Sequence, residues 1–158
     1  MVISNGPAPA AAPESCTEAR QHPDGFSADQ AFLAVALAAV SWDGVLSPAG
    51  TRALRHAIDY RQPFCTFSDQ ELVQGIDDLL QRLRLQGAQQ LMLKAARVLS
   101  PQLRRTAFAT AAEIMRSDGP LQPDERNILS TLADTLELST ADTQAMLGLM
   151  EVLHAPVV

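Results

Sequence analysis

The sequence predicts an all-α fold, a compact bundle of about seven helices built from two pseudo-symmetric helix–acidic turn–helix repeats. Three observations carry this expectation. Apolar residues recur at helical spacing from about position 26 onward, and no stretch alternates convincingly with period two. Aromatic residues make up only 4% of the chain while Ala and Leu are abundant, which favours closely packed helices over sheets. One phrase also occurs twice, as W-D-G-V-L-S-P from Trp42 and S-D-G-P-L-Q-P from Ser117. The two Asp residues stand 75 positions apart (118 − 43).

Residues 1–25 are rich in Ala, Pro, Ser and Gly and lack apolar periodicity, so they read as a disordered arm ahead of a helical domain spanning 26–158. Phe26, Ser27 and Gln30 open the first helix with a capping box and a staple residue. Its apolar positions are Phe32, Val35, Ala36, Ala39 and Val40, and the stretch is expected to stop at Asp43-Gly44, where Gly permits a left-handed closing residue. Ser47-Pro48 supplies an N-cap and a first-turn proline for the second helix, which carries Leu54, Ala57 and Ile58 and ends before Pro63.

Phe64 to Phe67 form an apolar connector. Ser68 and Glu71 then make the clearest capping box, leading a long helix with Leu72, Ile76, Leu79 and Leu83 on one stripe. Two heptads are too few for a dimer zipper, so this stripe is expected to face a bundle core. Gly87 breaks the helix, and Leu91, Ala95, Val98 and Leu99 continue in a fourth. Ser100-Pro101 starts the fifth, whose apolar residues run to Met115 before Asp118-Gly119. The sixth runs from about Pro123 to Leu136, and Ser139 with Asp142 caps the last, which carries Met146, Leu147 and Met150.

Composition narrows the function classes. The chain has 158 residues and is 47% hydrophobic, enough for one domain with a core and unlike a disordered protein. A formal charge of −6 and a pI near 4.9 argue against a nucleic-acid partner, whose phosphates require a basic footprint. The longest apolar run, Ala31 to Val40, is about half of a bilayer crossing, and the amino terminus lacks the basic and apolar regions of a secretory signal. Cys16 and Cys65 make no metal or redox motif, so a reducing cytoplasm is the expected location. A peripheral complex at a membrane stays compatible with these features, and oligomeric state is not encoded in them.

Sliding the chain by 75 positions aligns Ala34 with Ala109, Ala36 with Ala111, Gly44 with Gly119, Leu46 with Leu121, Pro48 with Pro123, Leu54 with Leu129 and Asp59 with Asp134. The Asp-Gly, Leu and Pro matches carry the weight, because Ala/Leu helices match one another cheaply. The segment Ala112 to Ser139, A-E-I-M-R-S-D-G-P-L-Q-P-D-E-R-N-I-L-S-T-L-A-D-T-L-E-L-S, resembles the tellurite-resistance TerB-like family. That family pairs an apolar helix with D-G-x-(I/V/L)-x-x-x-E and a helix ending L-x-L-(S/T). Phe32 to Gly50 is similar to the family's amino-terminal repeat, so the resemblance spans roughly Phe26 to His154. It implies an all-helical bundle of two similar halves, a link to tellurite and stress responses, and acidic corners proposed as cation sites. This chain departs from the pattern once: the Glu found at Glu125, seven residues after Asp118, is Gly50 in the first copy.

Asp43, Asp118, Asp124 and Glu125 are therefore the candidate metal ligands, for calcium or magnesium, which bind through several converging oxygens. The alternative is structural. Asp before Gly commonly bonds its own turn, and Asp124 and Glu125 suit the positive end of a helix. The spacing is not that of an EF-hand loop. His22, His56 and His154 form no zinc-ligand pair, and no nucleophile elbow or phosphate loop is present, so an enzyme is not expected. Trp42 reads as a core anchor at the first turn, with an exposed partner anchor as the alternative. The expected function is a non-catalytic, protein-binding stress-response domain, modulated by a cation, and a divalent-cation sensor or buffer is the alternative.

Overall fold

The computed structural model describes residues 25–158. The arm over residues 1–24, with Cys16 and His22, lies outside the described residues. Among the described residues there are seven α-helices, one short 3-10 turn and no strand, which is the all-α bundle expected. In chain order the helices are α1 (Ala28–Val40), α2 (Pro48–Ile58), α3 (Asp69–Gln86), α4 (Ala88–Val98), α5 (Pro101–Arg116), α6 (Pro123–Thr135) and α7 (Thr140–Leu153).

The core is built around α1, and this departs from the one-sided stripe read from its spacing. Every residue from Ala31 to Ala39 is buried. A helix apolar on all faces belongs inside a protein, and α1 packs chiefly against α4 and α5, with α3, α2 and α6 completing the enclosure. Its alanines are what allow this, since a short side chain lets neighbouring helices approach closely on every side. Phe32, by contrast, fills space and stacks against Phe64 of the 3-10 turn (Phe64–Thr66), with ring centroids 6.1 Å apart. The guanidinium of Arg61 lies 5.3 Å from the centre of the Phe32 ring and so pins the connector after α2 onto this core.

Local signals set the helix starts. The Ser27 and Ser68 hydroxyls accept from the Gln30 and Glu71 N–H groups, and the Gln30 and Glu71 side chains reach back to the serine N–H groups. Ser100 and Ser139 likewise accept from Leu103 and Asp142. Gly87, at φ +85°, separates α3 from α4. Leu72, Ile76, Leu79 and Leu83 are all buried, so the heptad-like stripe of α3 faces the bundle. At the end of α6, Glu137 takes the left-handed conformation (φ 56°) and the Leu138 N–H donates to the Ala133 carbonyl over 3.0 Å. This turns Leu136 into the core and presents Glu137 to Arg104 of α5, with which it pairs.

Two ends lie earlier than the spacing suggested. α1 stops at Val40 and α5 at Arg116, ahead of their Asp-Gly pairs. In each case a serine hydroxyl turns back to the helix: Ser41 Oγ donates to the Leu37 carbonyl and Ser117 Oγ to that of Ile114, both over 2.6 Å. Closing the helix with these serines leaves Asp43 and Asp118 in the turns rather than on the helices. No helix among the described residues is long and apolar enough to cross a membrane.

Candidate functional site

Both Asp-Gly turns open onto one cleft of about 320 Å³. The carboxyl end of α1 and the start of α2 form one wall, through Ala39, Val40, Trp42, Asp43, Gly50 and Ala53. The end of α5 and the first turns of α6 form the other, through Ile114, Met115, Ser117, Asp118, Glu125 and Ile128. Pro48 and Pro123 are each the first residue of their helix and lie 75 apart (123 − 48), so each turn delivers the chain into its second helix in the same way.

The first turn is tightly held. Asp43 Oδ1 accepts from the Val45 N–H at 3.0 Å, making an Asx turn, and Gly44 takes φ +82°. Arg84 of α3 donates from Nε to the Gly44 carbonyl at 2.9 Å. Gly44 is buried by this clamp, and an added Cβ would stand 3.3 Å from Arg84 Cγ. The start of α2 is capped by Ser47 Oγ, which accepts from the Gly50 N–H at 3.0 Å. With the serine serving there, the helix start needs no Glu at Gly50.

The second turn solves the same local problem differently. Pro120 stands 75 residues beyond Val45 (120 − 45) and has no N–H, so it cannot make the equivalent bond to Asp118. Among the described residues no donor reaches the Asp118 carboxylate, which is exposed. Gln122 replaces serine at the head of α6, and Glu125 Oε2 reaches back to accept from the Gln122 N–H at 2.8 Å. Arg126 closes the turn by donating from Nε to the Leu121 carbonyl at 3.3 Å. Behind it, Arg116 forms a two-pronged bond to Glu151 of α7, at 3.3 and 3.2 Å. This hydrogen bond holds the Glu151 carboxyl below its ordinary value; burial opposes the shift, and the charges of Arg116, Arg126 and His154 add to it.

Of the four candidate ligands, Asp43, Asp118 and Glu125 line the cleft, while Asp124 is not part of its lining. A hard cation takes roughly six to eight oxygens. No three His, Cys, Asp or Glu side chains among the described residues come together as a group able to hold an ion. One oxygen each of Asp43 and Glu125 is already engaged by a backbone N–H. The donors as placed do not make a metal shell. Trp42, expected as a core anchor, keeps 36% of its surface exposed and lines the cleft instead. Its position follows from the early end of α1, which carries it past the helix into the turn. His56 is exposed on α2, and Cys65 is a free, exposed thiol.

The fold and the cleft describe a small all-helical domain in which two Asp-Gly turns face each other across an apolar floor. A family model described as tellurite resistance protein TerB matches residues 29–147, and the chain belongs to that family. No curated protein and no solved structure matches it significantly.

Proposed function

We propose that this tellurite-resistance-type domain is a non-catalytic protein-interaction module of stress responses, which docks its partner in the cleft between the two turns. The observation that carries the proposal is the convergence of both turns on one cleft with an apolar floor and a carboxylate rim. The two serine hydroxyls lining it support a binding role over a catalytic one. Ser47 Oγ accepts from the Gly50 N–H and Ser117 Oγ donates to the Ile114 carbonyl, and among the described residues neither hydroxyl donates to a histidine or carboxylate that would activate it. The matched helix starts at Pro48 and Pro123 support descent of the two halves from one duplicated unit.

Photo-crosslinking in cells tests the docking site. A crosslinking side chain at Ala49, exposed on the cleft wall, is expected to capture a protein, while one at Gln81, exposed on α3, is not. Equal capture at both positions, or none at Ala49, overturns the proposal.

A second reading, divalent-cation sensing, is favoured by the presence of Asp43, Asp118 and Glu125 on one cleft. It requires Asp43 and Glu125 to leave their present bonds and all three carboxylates to converge. Calorimetric titration with calcium, magnesium and zinc decides it: saturable heat that disappears in Asp118→Asn supports a cation site, and no heat with any of the three removes it.

A further inference from the structure

We propose that the cleft recognises a basic amphipathic segment of a partner protein, which lays an apolar side chain on the floor and sets a flanking lysine or arginine among Asp43, Asp118 and Glu125. This rests on the docking role above and adds the chemistry of the partner.

Charge complementarity carries the inference. Among the described residues the cleft lining holds three carboxylates and no Lys, Arg or His side chain, in a chain of net charge −6. Among the described residues Asp43 and Glu125 each commit one oxygen to a backbone N–H and keep the other, while Asp118 commits neither. An ionised carboxylate offers about four acceptor sites, so most of the rim's capacity is left for donors that come from outside the chain. A guanidinium or ammonium supplies such donors in charge-assisted bonds.

Floor and rim together fit two simpler ligands less well. A bare divalent cation would leave the partly exposed Val40, Ala53 and Ile128 uncovered, and the carboxylates are not gathered into a shell for it. A purely apolar ligand would strip water from the rim carboxylates and return no hydrogen bonds, which is costly. A segment with an apolar side chain beside a cationic one satisfies floor and rim together. Trp42, partly exposed on the lining, adds an aromatic ring, and such rings attract a cationic head.

Trp42 is the only tryptophan, so its emission in the full chain reports on the cleft directly. The probe is a short blocked peptide of Lys-Leu repeats, compared with Glu-Leu and Lys-Gly peptides of equal length. The Lys-Leu peptide is expected to give a saturable change that weakens with added salt, because the rim charges become screened. Asp118→Asn is expected to weaken it about tenfold, the loss of one charge-assisted bond. This substitution removes no hydrogen bond within the described residues, and circular dichroism checks that the fold is kept. Asp77→Asn, the same charge change on exposed α3, is expected to leave affinity unchanged.

Equal binding of the Glu-Leu peptide overturns the charge argument, and equal binding of the Lys-Gly peptide overturns the role of the floor. An unchanged affinity in Asp118→Asn, or a loss as large in Asp77→Asn, removes the site. Capture at Ala49 together with no preference for the Lys-Leu peptide would leave docking standing and overturn the basic partner.

Discussion

At the first turn the Asp43 carboxylate is bound by the Val45 N–H, and Arg84 holds the Gly44 carbonyl from across the bundle. At the second, Pro120 has removed the matching N–H, the Asp118 carboxylate stays unbonded among the described residues, and Glu125 caps the following helix. The same Asp-Gly phrase is thus a finished structural joint in one half and an available acidic group in the other. The difference comes from the residues around the phrase: a proline for a valine, and a Gln-Glu pair where the first half has Ser and Gly. Matching motifs do not guarantee matching roles when the neighbouring backbone donors differ.

The comparison breaks most visibly if the two halves do not share one core. Leu54 and Leu129 lie 75 apart (129 − 54) and are both fully buried. Leu54→Ala and Leu129→Ala are each expected to cost about 2–5 kcal/mol in urea unfolding, from lost burial and the cavity left behind. A cost below about 1 kcal/mol at one site alone would show that the two leucines do not play matching parts in the core.

The glycines separate the turns next. Gly44→Ala forces a left-handed residue at φ +82° and drives a methyl toward Arg84, while Gly119, at φ +148°, has open space around it. Strain alone is worth about 1–3 kcal/mol, so both variants lose stability and Gly44→Ala loses more. The reverse order would show that the Arg84 clamp yields easily.

The carboxylates differ by less. Asp43→Ala is expected to cost about 1 kcal/mol through the lost Asx bond, and Glu125→Ala a similar amount through the lost helix cap. Asp118→Ala should change stability by no more than about 0.5 kcal/mol. Chemical denaturation of the three variants side by side checks this, and a large loss at Asp118 would mean that it has a structural partner.

The smallest effect expected is in acid. Glu151, tied to Arg116 behind the second turn, has a carboxyl lowered on folding from an ordinary value of 4.5. Such a group adds stability above that value, and the contribution is lost as pH falls through the lower folded value. Glu151→Gln should therefore be less stable than the parent near neutral pH, with the difference closing below about pH 4.5. Thermal melts across this range measure it, and a gap that persists at low pH would point to packing instead. Glu71, lowered by its bonds to Ser68, adds a similar acid-sensitive contribution at α3, far from either turn in sequence.

Much of the fold was legible because helix starts are local. Ser27, Ser68, Ser100 and Ser139 cap where their sequences indicate, since each bond spans only three residues. The central place of α1 was also written in the chain as the unbroken apolar run from Ala31, although a one-sided stripe described it too narrowly. The ends of α1 and α5 were misplaced by a few residues. Ser41 and Ser117 close them through side-chain bonds that the Asp-Gly signal overshadowed.

The candidate site was legible only in part. Asp43, Asp118 and Glu125 stood out from the repeated phrase, whereas Trp42 read as core and Asp124 as a companion ligand. The Val45-to-Pro120 exchange was visible as letters, and its consequence needed only the knowledge that proline lacks an N–H.

By itself, then, the sequence determined the helices, their caps, the two Asp-Gly turns and the missing Glu at Gly50, because each depends on contacts within a few residues. Tertiary structure decided the rest: that both turns line one cleft, that Arg84 clamps the first from across the bundle, and that Asp124 lies outside the lining. Those relations join residues 40 or more positions apart (84 − 44 for the clamp), and they are set by how α3 and α5 pack on α1, which no local pattern records.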